Sequence, residues 1–365
     1  MSPETAADYT VRWYDPADRE AFVSLYNDTF GGGSDEWFQW KYVDNPRTAH
    51  VPILVATADG ELAGARAQTP FLMRAGDETA LAMRFGDTMV HPDHRRKGVF
   101  SRLVERALDH YREMPVRFCY NVPNDLSRPG FLKAGGEIVS RLPSFYRVQN
   151  PQAFGSNREG PLATAARAVS PAAQAYLDVR DALADRPANA TVVRHTEIPV
   201  SLLRRLYERA RPPTVHAVRD DAMLEWRYEN PRWRYHAYAA DVDGRPAAAV
   251  VTGTQTDDGV TTTTLVDVLP LADAPGRETG LRALLSAVVA DNADADLLAY
   301  CGRSIPEPLL RAHGFHRADG FLLDRATEPT RLVAYDLGDE PWTLGDVDLS
   351  RDENWGLSYV ELDAR

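Results

Sequence analysis

A chain of 365 residues is long for one ordinary domain and points to two. Its 44% hydrophobic and 26% charged residues mark a soluble globular protein, and a net charge of −12 excludes a general nucleic-acid binder, which needs a basic surface. Two cysteines cannot form a disulfide framework, and neither a bilayer-long apolar run nor signal-peptide order occurs, so a cytoplasmic chain with no membrane or nucleic-acid partner is expected.

Asp15 before Pro16 reads as an N-cap with proline at the first helical position, and Arg19 to Phe30 carries a helical pattern. Ser34 ahead of Asp35, Glu36 and Trp37 reads as a second helix start, with acids where the helix dipole favours them. Trp40-Lys41-Tyr42-Val43-Asp44-Asn45-Pro46 follows. Ile53 to Ala56 and Leu62 to Ala67 predict strands joined by Asp59-Gly60, a hairpin signal because both residues tolerate positive φ. The pattern then predicts a strand over Leu81 to Val90, a helix over Gly98 to Tyr111, a strand over Val116 to Asn121 and a helix over Arg128 to Ala134.

This order returns. Trp226-Arg227-Tyr228-Glu229-Asn230-Pro231 echoes the first tryptophan motif, again after a helical stretch, Val200 to Ala210. Two strands around Asp243-Gly244 follow, His236 to Ala240 and Pro246 to Thr252. Then come strand Thr261 to Leu269, helix Thr279 to Ala290, strand Leu297 to Cys301 and helix Glu307 to Ala312. Even Cys119 and Cys301 fall on equivalent strands. The expected organisation is one α/β unit in 1–150, a linker in 151–190 with a helix over Ala172 to Leu183, a second unit in 191–340 and a tail in 341–365 whose Trp342 and Trp355 pack on something.

The chemistry concentrates where the strand ending at Met89 and Val90 meets a loop with Arg95, Arg96, Lys97 and Gly98. Val99, Phe100 and Ser101 then open a helix whose Val99, Leu103, Val104, Ala107, Leu108 and Tyr111 share one face. Glycine at a helix start lets a ligand reach amides that no intrahelical carbonyl satisfies, and the helix dipole and three cations suit a phosphate or pyrophosphate. His91 and His94 with Cys119 lack a fourth ligand, so no metal is expected.

Met89 to Leu103 resembles the acetyl-CoA signature of the GNAT acyltransferase superfamily, in which a strand of the type L-x-V-x-P runs into R/Q-x-x-G-x-G/A and a helix. Arg95, Gly98 and the Val-His-Pro lead-in match, whereas Phe100 stands where the family has Gly or Ala. Asn124 to Gly135 resembles the second motif of that family, with Phe131 at the place of the tyrosine that protonates the departing thiolate. Phenylalanine cannot donate a proton, so that role does not carry over. Tyr120 and Tyr146 read as packing rings.

The resemblance implies an α/β (α+β) fold of two tandem GNAT-like domains. Each is a mixed, mostly antiparallel sheet flanked by helices, and in the first the fourth and fifth strands splay to admit the pantetheine arm. It implies acetyl-CoA, or another acyl-CoA, as co-substrate, held by Met89, Val90, Arg95, Arg96, Lys97, Gly98, Val99, Phe100, Ser101 and Asn124. The expected reaction is N-acyl transfer to the amine of a small molecule or peptide, with Asp87 or Glu36 as base and an amide around Met89 or Val90 facing the oxyanion. Alternatives are a non-catalytic acyl-CoA-binding or assembly module and a Fem-like aminoacyltransferase, the latter disfavoured by acidity. In the second unit Pro275 to Gly280 keeps an Arg-x-x-Gly spacing but loses the basic cluster, so this copy is expected to hold no CoA. A monomer acting as a pseudo-dimer, or a homodimer, completes the expectation.

Overall fold

A computed structural model describes residues 8–153, 175–183, 187–319, 330–338 and 341–362. The chain opens with β1 (Thr10–Trp13), and Asp15 then caps a 3₁₀ turn by accepting from the Ala17 amide at 3.0 Å. Helix α1 (Arg19–Thr29) follows, and Ser34 accepts from the Trp37 amide at 3.1 Å to start α2 (Asp35–Phe38), which runs on as a π-turn over Gln39–Val43. Strands β2 (Ile53–Ala58), β3 (Glu61–Ala75) and β4 (Glu78–Val90) form a meander. Helix α3 (Val99–Arg112) buries the predicted face, from Val99 to Tyr111, against the sheet. Then come β5 (Val116–Asn121), α4 (Arg128–Lys133), β6 (Glu137–Leu142) and β7 (Ser144–Val148).

A helix over 175–183, α5, covers the described part of the expected linker helix, whose earlier residues lie outside the described ones. The second half repeats the order with β8 (Ala190–His195), α6 (Val200–Arg209), β9 (His216–Ala217), α7 (Asp221–Arg227), β10 (Arg234–Val242), β11 (Arg245–Asp257) and β12 (Val260–Leu269). Helix α8 (Arg277–Asp291), β13 (Leu297–Cys301), α9 (Glu307–Ala312), β14 (His316–Arg317) and β15 (Thr330–Asp336) complete it. The tail adds the small hairpin β16 (Thr343–Leu344) and β17 (Val347–Asp348).

Two mixed, mostly antiparallel sheets result, and they exchange a strand. The first runs β1-β2-β3-β4-β5-β15-β6, with β9 also paired to β3, and the second runs β14-β7-β13-β12-β11-β10-β8. Strand β7, from the first half of the sequence, thus lies between β13 and β14, while β15, from the second half, lies between β5 and β6. In each sheet one pair is parallel, β4 with β5 and β12 with β13.

The joint between the halves is built on the repeated tryptophans. Trp40 and Trp226 stack at 5.5 Å, and each indole donates to the other's carbonyl oxygen, at 2.6 and 2.8 Å. One apolar core runs through this joint, from Phe22 and Trp37 to Val251 and Leu269. Trp355 of the tail is fully buried in it, edge-on to Phe118 at 5.4 Å. Replacing Trp40 by Phe removes one donor and leaves the Trp226 carbonyl without it, so unfolding in urea should show a loss of about 1–2 kcal/mol. Among the described residues no helix is long and apolar enough to cross a membrane.

Candidate active site

Strand β4 pairs with β5 only as far as Arg84↔Tyr120, after which the two part. At the parting β4 carries a bulge: Gly86 faces Ala67 and Thr88 faces Arg66, which leaves Asp87 as the extra residue at φ 42. A cavity of about 410 Å³ fills this fork, lined on one side by Arg84 to Thr88 and on the other by Asn121 to Asn124, Ser127 and Phe131. A fork without cross-strand partners leaves backbone groups that an amide-bearing chain can pair with.

Asp87 is only 3% exposed, and its Oδ2 accepts from both the Lys41 ammonium and the Tyr42 hydroxyl at 2.6 Å. The second half holds a counterpart: Tyr228 donates to Asp267 at 3.3 Å, and Asp267 is clasped by Arg219 at 3.2 Å. Of the site residues read from the sequence, the structure brings Asp87 and Asn124 into the cavity. Glu36 does not reach it; it is exposed on the first turn of α2. Met89 is buried in the core, and Met89 and Val90 lie past the end of the cavity at Thr88. The His91 amide donates to Ala63 on β3, so strand alternation turns the Val90 amide the other way, toward the fork.

The cradle is a separate feature. Gly98 caps α3 at φ 83, a left-handed conformation that favours glycine, and a Cβ there would meet nothing within 4 Å. Among the described residues the amides of Gly98, Val99, Phe100 and Ser101 find no acceptor. Arg95, Arg96 and Lys97 are exposed around them. Between cradle and cavity stands Phe100, whose ring meets Phe131 edge-on at 5.0 Å and fills the space a Cβ on Gly130 would take. This contact forms an aromatic bridge between α3 and α4. The residues fit a thioester carrier at both ends.

Sequence reasoning missed Arg66. It is fully buried beneath the fork, stacked on Phe85 at 3.8 Å and donating to Thr88 at 3.0 Å. Burial lowers its guanidinium to about 10. Nothing in the local pattern signals it, because within the apolar stretch read over Leu62 to Ala67 it is a single polar residue. Also missed is the tail, which sends Tyr359 and Leu362 into the cavity. Tyr120 is buried, with its hydroxyl on the Glu361 carbonyl at 3.3 Å and its acidity suppressed by burial. Tyr146 lies on β7 in the other sheet. His94 bonds to the Tyr9 hydroxyl at 2.9 Å and packs edge-on against its ring. Among the described residues no cluster of three or more potential ligands could hold a metal ion.

In the second half an arginine spans the equivalent fork. Helix α8 starts at Arg277 after Gly276 at φ 78, so Gly276, rather than Gly280, is the counterpart of Gly98. Gly280 instead sits inside the helix against Ala248 and Ala240. The Arg277 side chain donates to the Pro270 carbonyl at 2.8 Å and to the Ser304 carbonyl at 2.6 Å, tying the end of β12 to the loop after β13.

Residues 10–136 match the family described as Acetyltransferase (GNAT) domain. Among solved structures, a GCN5-related N-acetyltransferase from Anabaena variabilis is similar with a TM-score of 0.60 at 10% identity, covering 91% of this chain and 73% of that one. A protein from Enterococcus faecalis described as a probable N-acyltransferase gives a TM-score of 0.61 at 13% identity, over 90% of this chain and 72% of that one. A tandem GNAT protein from the clavulanic acid biosynthesis pathway gives 0.56 at 14% identity, over 91% of this chain and all (100%) of that one. The two-unit fold is thus that of tandem GNAT proteins. None of the curated proteins matches the sequence.

Proposed function

We propose that the protein is an acyl-CoA-dependent N-acyltransferase that uses acetyl-CoA and passes the acyl group to the amine of a small molecule. The observation that carries this reading is the combination, in the first half, of an open fork of about 410 Å³ with a helix N-terminus whose amides have no acceptor among the described residues. Arg95, Arg96, Lys97 and the amides from Gly98 to Ser101 hold the diphosphate. The fork between β4 and β5, with Asn124 at its rim, takes the arm.

Acetyl-CoA supplies an activated carbonyl. The chain's own residues do the rest: they hold the amine beside that carbonyl, and the Val90 amide meets the charge that develops on its oxygen. The amine must reach the carbonyl neutral, and Asp87, inside the cavity, is better placed to take its proton than the exposed Glu36. Phe131 offers no proton to the thiolate, so it leaves as such or is protonated by water. The second half, with its fork tied by Arg277, binds no carrier.

The test is release of free CoA thiol from acetyl-CoA across a panel of amines. Release that depends on the amine is the expected result. Binding of acetyl-CoA without release for any amine would instead make this a binding protein, the reading that Phe131 favours. No binding of any acyl-CoA would remove both readings.

A further inference from the structure

The cavity has two unlike walls. The fork side carries Asp87 and Arg84, whereas the wall facing it is assembled from distant parts of the chain: Phe30 at the end of α1, Gln255 on β11, Thr330 on β15, and Tyr359 and Leu362 in the tail. Phe30, Tyr359 and Leu362 give this second wall aromatic and aliphatic surface beside the neutral Gln255 and Thr330, and none of its described members is charged.

Tyr359 and Leu362 are held in place from beneath. Between them Glu361, fully buried, accepts from the Arg219 guanidinium, from the Ala217 amide at 3.0 Å, and from the Ser358 amide and hydroxyl at 2.8 and 2.9 Å. Arg219 in turn grips Asp267 with a second edge at 3.2 Å, and Arg227 donates to the Val360 carbonyl at 3.0 Å. One buried cation between two buried carboxylates brings little net stability, because desolvation offsets most of the attraction. Such a network does fix geometry. What it fixes here is the turn that presents Tyr359 and Leu362 to the cavity, anchored on residues of the second half.

We infer that this tail turn is the acceptor-reading wall, with Glu361 as its positioning residue, and that the acceptor is a small primary amine with an uncharged apolar or aromatic body. Its nitrogen faces Asp87 and its body rests on Phe30, Tyr359 and Leu362. The inference rests on the acyl-transfer reading above.

The experiment compares 2-phenylethylamine, methylamine and glycine as acceptors for acetyl-CoA, in the wild type and in Tyr359→Ala, Leu362→Ala and Glu361→Gln. In the wild type kcat/KM for 2-phenylethylamine should exceed that for the other two by at least about tenfold. Tyr359→Ala and Leu362→Ala should each raise its KM by about tenfold while leaving the thermal shift given by acetyl-CoA unchanged. Glu361→Gln should also raise KM for the amine more than it lowers kcat, a split that general loss of folded protein would not give. If Glu361→Gln does not fold, the two wall variants, both at the cavity surface, still decide. Unchanged KM in both, or glycine preferred over 2-phenylethylamine, would overturn the inference with acyl transfer intact. A wild type that binds no acyl-CoA would overturn the functional reading itself.

Discussion

Acetyl-CoA is expected to stabilise the wild-type protein by about 2.7 kcal/mol at a hundredfold excess over Kd, and Gly98→Val is expected to abolish that stabilisation. The reason is conformational rather than steric. Nothing lies within 4 Å of a Cβ at this position, but φ is 83, where a β-branched residue is strained by about 1–3 kcal/mol. Relief of that strain rotates the peptide before α3 and turns the amides of Val99, Phe100 and Ser101 away from a common centre. Because the variant also weakens the unliganded protein, Arg95→Glu with Arg96→Glu provides the independent arm. Both arginines are exposed, so the unliganded melting temperature should hardly change while the acetyl-CoA shift disappears. Differential scanning fluorimetry with and without acetyl-CoA reads both. An undiminished shift in both variants would remove the cradle from the account.

Acidification should destabilise the protein by about 2–3 kcal/mol between pH 7 and 4.5 through His216 alone. This histidine is fully buried, with Nδ1 against the Thr214 carbonyl at 2.7 Å and Nε2 against the Tyr207 hydroxyl at 3.2 Å. Burial first, and the charge of Arg219 second, push it down to about 4, from 6.5. Between those two values the unfolded chain binds the proton and the folded chain does not. Stability is therefore complete above about pH 6.5 and is lost as pH falls toward 4. Urea unfolding of the wild type and of His216→Gln at pH 7 and 4.5 separates this from the carboxylates. Glutamine keeps hydrogen-bonding capacity without a proton to gain, so its loss over the interval should be smaller by about that amount. Equal losses in the two proteins would show that His216 is not responsible.

Much of the architecture could be read from the chain because two kinds of pattern are local. The apolar positions from Val99 to Tyr111 recur at helical spacing, and α3 buries that face. The tryptophan motifs announced the repeat, and Trp40 and Trp226 do meet as equivalents. Strand partnership is another matter. The five residues of β7, Ser-Phe-Tyr-Arg-Val, do not record which sheet buries them, so its place beside β13 has no local signature. The cradle was legible because glycine and three cations before an amphipathic helix are chemically unusual together. Tyr359 and Leu362 were not, since a tail residue becomes part of a cavity only through a buried network, and its members Arg219, Asp267 and Glu361 lie far apart in sequence. Arg277 showed how spacing misleads: Arg-x-x-Gly recurs there, but the helix begins one residue after Gly276, and the arginine binds its own backbone instead of a ligand.

The crossed strands make the protein indivisible. Separated at the spacer, each polypeptide would contain a sheet with an empty slot, β5 beside no β15 and β13 beside no β7, and each would carry the ribbon that fits the other's slot. Inheritance of one half thus requires inheritance of both, even though Arg277 ties the strands of one fork to each other. The back half endures as a mechanical necessity, which leaves its surface loops and the tail it anchors free to be shaped by whatever the front half must recognise.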